Sequence, residues 1–286
     1  MVNTMMDTLA PCEVRASAAR VVALIAAAGD WPGRWVSLVP SLLGQLVLAA
    51  ASRGSGERVG DETAAGDAAR TEAAAVDRAE SCAKCLEYIA EEVSMVHIPE
   101  LCRQAFLGLL QAGEAARLPR HIRLKVFRIA GGLFRSIGTL VTVGGETPLL
   151  LATQQWVPPW LKLVSKTLKS AADAASPPYG DDRRRSGNLF QRDGGIDVEG
   201  GIGVELEALR IAMTLLTRMP SATGDGHLGQ LLPPLWELLT KGLAHHEAYV
   251  LLAGDDEEDG GYASDEERQG FEQLIVRTLE LLAAVA

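Results

Sequence analysis

The chain has 286 residues, 48% of them hydrophobic and 22% charged, which suits one or two compact domains or one extended array. Its net charge of −10, from 27 basic and 37 acidic residues, argues against nucleic acid as the main partner and permits a basic protein. No apolar run reaches the roughly 18–20 residues that cross a bilayer, and the opening MVNTMMDTLAP has no charged segment followed by an apolar core, so neither membrane insertion nor secretion is expected.

Alanine and leucine dominate the apolar residues, which favours helices over strands. The first helical run covers 14–28 and is followed by GDWPGRW. In this turn Asp30 is a candidate N-cap, and Trp31, Pro32 and Trp35 would plug the corner between two helices and the next pair. Pro40 then opens a second helix, because proline is tolerated in a first turn, where its missing N–H would be unpaired anyway. The arrangement returns three times. Runs over 76–93, 122–138 and 204–219 are each followed by a proline-led apolar run at Pro99, Pro158 or Pro233, with Trp236 in the last. The prolines step by 59, 59 and 75 residues (40, 99, 158, 233). Within the runs, apolar residues keep helical spacing, as at Leu206, Leu209, Met213 and Leu216. A fifth run, 271–285, has no partner after it.

A single amphipathic pair cannot bury its own apolar face, but stacked pairs can. The expected fold is therefore all-α: a right-handed α-solenoid of HEAT-like helix pairs over 13–50, 68–113, 120–172 and 203–246. An unpaired helix follows at 268–286, with an uncovered face that favours self-association. The connections 52–67, 174–202 and 254–267 lack apolar periodicity and are expected to be mobile.

Candidate chemistry is sparse. Cys82-x2-Cys85, His97 and Cys102 have a spacing that a zinc site tolerates. Cys82 and Cys85 also sit one helical turn apart in a patterned helix, where cysteine packs as a small apolar residue, and this reading outweighs metal. The four cysteines are read as reduced thiols. No phosphate-binding loop, nucleophile elbow or dinucleotide fingerprint is present, so neither a cofactor nor catalysis is expected. His245 and His246 suit a helix C-terminus, and Arg183–Arg185 reads as a solvated loop. The acidic segment says more. Asp255, Asp256, Glu257, Glu258, Asp259, Asp265, Glu266 and Glu267 place eight carboxylates in thirteen residues without a base. Such a segment either keeps the chain soluble or steers a basic partner. Ser264, ahead of three acids, suits an acid-directed kinase.

DWPGRW (30–35), followed by Leu38, Pro40 and Leu43, resembles an early repeat of the β-karyopherins, the HEAT-repeat nuclear transport receptors. The C-terminal third is similar to the importin nine branch of that family. It has a helix with Leu-Pro-x-x-Trp (232–236), an acidic linker, then Gly-Phe-Glu (270–272) opening the next helix. The segment 85–101 matches more loosely, and Val36 stands where many members carry a second proline. The resemblance covers nearly the whole chain but only part of such a receptor, so the chain is expected to be a fragment, a truncated gene product or a divergent short form of one.

The resemblance implies import of basic cargo such as core histones and ribosomal proteins, with Ran·GTP as regulator and nucleoporins as a further partner class. It also implies shuttling between cytoplasm and nucleus. Second helices would line a concave face, where acidic residues, with those of the 255–267 segment, accept the cargo. The alternative is a helical-repeat scaffold with no transport role.

Overall fold

The computed structural model describes residues 2–52, 62–144, 148–174, 202–253 and 265–285, with the backbone alone for some stretches inside the helices. Among the described residues every regular element is a helix. They fall into two compact units, Met1–Leu149 and Leu150–Ala286.

In the first unit a short α1 (Val2–Met6) leads to α2 (Cys12–Ile25), α3 (Leu38–Ser52), α4 (Glu62–Glu92), α5 (Ile98–Glu114) and α6 (Arg120–Gly144). Alternate helices meet in chain order. α2 lies on α4 and α4 on α6, while α3 lies on α5. The two sets join through α3 on α4 and α5 on α6, and α1 packs on α2 and α4. α5 shows the local logic. Pro99 sits in its first turn, and Leu101, Cys102, Ala105, Phe106, Leu109 and Ala112 recur at helical spacing and are all buried. Phe106 meets Phe134 of α6 with ring centres 4.5 Å apart and a 30° tilt. Burying each such side chain contributes roughly 1.5–3 kcal/mol, which short helices need because isolated ones are marginal in water.

The second unit holds α8 (Gly203–Arg218), α9 (Pro220–Ala253), α10 (Asp265–Val285) and all but the first two residues of α7 (Pro148–Ala174). α8 lies on α10, and α9 touches both. α7 reaches α9 through two polar contacts: the Ser165 hydroxyl donates to the Gln230 carbonyl at 3.0 Å, and Lys241 reaches Asp173 at 3.6 Å. α10 buries Leu274, Thr278 and Leu281 and leaves Val276 and Leu279 about half exposed. Among its described residues, α10 is thus buried along one side.

Several expectations from the sequence need correction. Pro40 and Pro99 do lie in first turns, but Pro158 and Pro233 do not start helices. Each is the first of two adjacent prolines inside α7 and α9. Proline at position 148 opens α7 and Pro220 opens α9, so the first-turn rule holds at different prolines. Proline's φ is compatible with a helix, and what it removes is one N–H. A helix takes up that loss as a local bend when its apolar face runs on past the proline, as Val157, Trp160 and Leu161 do in α7. α4 begins at Glu62, inside the connection assigned to 52–67, and α10 begins at Asp265, inside 254–267. The connection 174–202 falls almost wholly outside the described residues, as do 53–61 and 254–264.

Asp30 is not an N-cap. It ends a single π-type turn (Ala26–Asp30) that extends α2, and α3 opens only at Leu38. Pro32 offers no N–H and Gly33 is a poor helix former, so the chain keeps turning until Leu38 N donates to Trp35 O at 3.0 Å. Gly29 takes φ 117°, a backbone state that side chains disfavour.

Candidate functional site

Trp31 fills the corner the sequence assigned to it. It is 1% exposed and meets the His97 ring, just ahead of α5, edge-on at 6.3 Å. Trp35 and Pro32 are half-buried. This cluster ties the turn between α2 and α3 to the entry of α5. Trp236 behaves differently. It is 63% exposed on α9, because Leu231, Leu235, Leu238 and Leu239 fill that helix's buried face, and position 236 falls outside their arc. With Leu232 and Leu243 it forms an exposed apolar stripe.

The carboxylates Asp255, Asp256, Glu257, Glu258 and Asp259 lie outside the described residues. Asp265, Glu266 and Glu267 occupy the first turn of α10, where unpaired N–H groups and the helix dipole favour negative charge. Their residue types therefore start the helix as well as charge the segment.

The cysteines and His97 do not converge. Among the described residues no group of three or more His, Cys, Asp or Glu side chains is placed to hold a metal ion. Cys82, Cys85 and Cys102 are buried. Burial pushes the thiols of Cys82 and Cys85 up to about 12 and raises that of Cys102 as well, which leaves them protonated and unreactive. Cys12 is exposed, with the Lys84 ammonium 3.7 Å from its sulfur.

A charged seam between α4 and α6 is the main electrostatic feature, and it was not singled out from the sequence. Glu80 accepts from Lys125 of α6 at 2.9 Å and from Lys84 of its own helix at 3.2 Å. Burial alone would raise its carboxyl. The two ammonium groups outweigh that and hold it at about 2. Two turns on, Glu87 goes the other way: burial and the neighbouring Glu91 raise it, against the pull of Arg128, Lys125 and Lys84. The Glu80/Lys84 spacing of four was visible in the sequence, but Lys125 is 45 residues away and needed the fold.

The described exposed side chains of α3, α5 and α7 are not predominantly acidic. On α3 the exposed residues are Pro40, Ser41, Gly44, Leu48 and Ala51, with no charge. α5 exposes Arg103, Leu107, Gln111 and Glu114. α7 exposes Lys162, Lys166 and Lys169, with Asp173 engaged by Lys241. Among the described residues, then, these faces carry more bases than acids, and the acidic surplus lies elsewhere in the chain. Among the same residues no helix is long and apolar enough to cross a membrane. Compared with protein-family models the chain matches none, and no curated protein matches it in sequence.

Proposed function

We propose that the chain is a stretch of HEAT-type α-solenoid from a nuclear import receptor of the β-karyopherin class, importin nine branch, and that it works by binding rather than catalysis. Support for the solenoid comes from the contact order within each unit: helices two apart in the chain pack side by side. Support for the receptor comes from the matched order at 227–285, a Leu-Pro-x-x-Trp helix, an acidic segment, then Gly-Phe-Glu. The reading rests chiefly on the eight carboxylates between 255 and 267. A dense, base-free acidic segment between two helices attracts a lysine-rich protein over a Debye length and raises the encounter rate. Basic cargo such as a core-histone dimer or a ribosomal protein is taken by this segment, not by the second-helix faces. Ran·GTP opposes cargo, so each weakens the other by the same factor.

The test neutralises Asp255, Asp256, Glu257, Glu258, Asp259, Asp265, Glu266 and Glu267 to Asn or Gln. Association with a fluorescent core-histone dimer is expected to slow by about tenfold or more, with a shallower salt dependence. An unchanged on-rate and salt slope would remove the segment from the account.

A further inference from the structure

We infer that the outward face of α7 is a docking surface for an acidic protein segment, distinct from the acidic segment that takes basic cargo. Lys162, Lys166 and Lys169 are exposed and follow an i, i+4, i+7 pattern, which lines them up on one stripe about 10 Å long. Ion pairs are common on this protein, as at Arg103–Glu100, Arg210–Glu207 and Arg277–Glu280. Among the described residues none engages these three lysines. Asp173, the only acidic residue of α7, is already held by Lys241, which is itself shared with Glu237 at 2.7 Å. Among the described residues of this chain of net charge −10, three adjacent ammonium groups on one helix thus have no carboxylate partner.

Charge complementarity fixes the occupant. Carboxylates on one face of a partner helix, at the same i, i+4, i+7 spacing, match three point charges on a stripe of this length. A phosphate backbone is disfavoured, because it would have to approach an overall acidic chain with only three local bases to neutralise it. The burial pattern of α7 sets the lysines apart from its apolar face. Val157, Trp160, Leu161, Val164, Leu168 and Ala171 are buried on the opposite side of the helix.

The experiment is a fluorescence-anisotropy titration of the full chain into a fluorescein-labelled helical peptide with glutamates at i, i+4 and i+7. A sequence isomer of equal charge with scattered glutamates, and a single-stranded oligonucleotide, are run beside it. The Lys162→Gln, Lys166→Gln, Lys169→Gln variant is expected to bind the patterned peptide about tenfold more weakly. A control with Arg103, Arg210 and Arg277 changed to Gln is expected to stay within about twofold, since those cations are already paired. All six positions are exposed, and circular dichroism of each variant checks that helix is retained. Three results would overturn the inference: equal peptide affinity for the lysine variant, equal affinity for the isomer, or tighter binding of the oligonucleotide. None of them depends on the histone titration, so the two readings fail separately.

Discussion

Replacing Glu80 with Gln removes one charge from the seam between α4 and α6 and leaves two half-buried ammonium groups without their shared carboxylate. Its side chain is 23% exposed, that of Lys125 16% and that of Lys84 24%. The folded protein lowers the Glu80 carboxyl from 4.5 to about 2. At 1.36 kcal/mol per unit this corresponds to an upper bound of about 3 kcal/mol, and partial exposure reduces it to about 1–2. The sign follows from the direction of the shift. A depressed carboxyl stabilises the fold fully above the unfolded value and loses that stabilisation as pH falls toward 2. Glu87, which is raised, acts in the opposite sense in both proteins, so the difference between wild type and Glu80→Gln isolates Glu80. Amide hydrogen exchange of peptides from α4 and α6, corrected for intrinsic rates, is the assay. The variant is expected to open more easily by about 1–2 kcal/mol at pH 7, and by less than half of that at pH 3. A difference that is equal at both pH values, or absent at pH 7, would refute the electrostatic account of the seam.

Gly108→Ala is expected to destabilise the first unit despite alanine's better helix propensity. A Cβ there would meet Leu43 Cβ at 3.0 Å, an atom fixed to the α3 backbone, and the net cost is about 1 kcal/mol in urea unfolding. Gly29→Ala should cost about 1–3 kcal/mol by the same measurement, since φ 117° is open to glycine and strained for alanine. Iodoacetamide at pH 8 should modify Cys12 rapidly and Cys82, Cys85 and Cys102 only on unfolding, as read by mass spectrometry. Sedimentation velocity should show concentration-dependent association that Trp236→Glu reduces, because Trp236, Leu232 and Leu243 leave an apolar stripe uncovered on α9.

The all-helical character was legible because alanine and leucine at helical spacing leave few alternatives, and the Trp31 corner was legible because a large aromatic beside proline and glycine has to be packed somewhere. Helix starts were less legible. Proline marks a first turn at positions 40, 99, 148 and 220, yet Pro158 and Pro233 look the same locally and sit inside helices. Only the packing on either side of a proline decides between a start and a bend. The buried face of α8 shows a similar limit. Spacing picked Leu206, Leu209, Met213 and Leu216; the structure buries Leu209 but leaves the other three half-buried, and it buries Val204, Ala208, Ile211, Ala212 and Leu215 beside Leu209. Small and β-branched residues turned that helix further inward than its leucines alone suggest. The Glu80–Lys125 contact joins residues 45 apart and could not be paired before the helices were.

The most direct test of the proposed function is a titration of a fluorescent core-histone dimer with this chain at two salt concentrations, with and without Ran·GTP. The account predicts tight binding that weakens as salt rises and weakens again when Ran·GTP is added. Binding that ignores both salt and Ran·GTP, or tighter binding to a non-basic protein, would contradict it and favour a helical-repeat scaffold without a transport role.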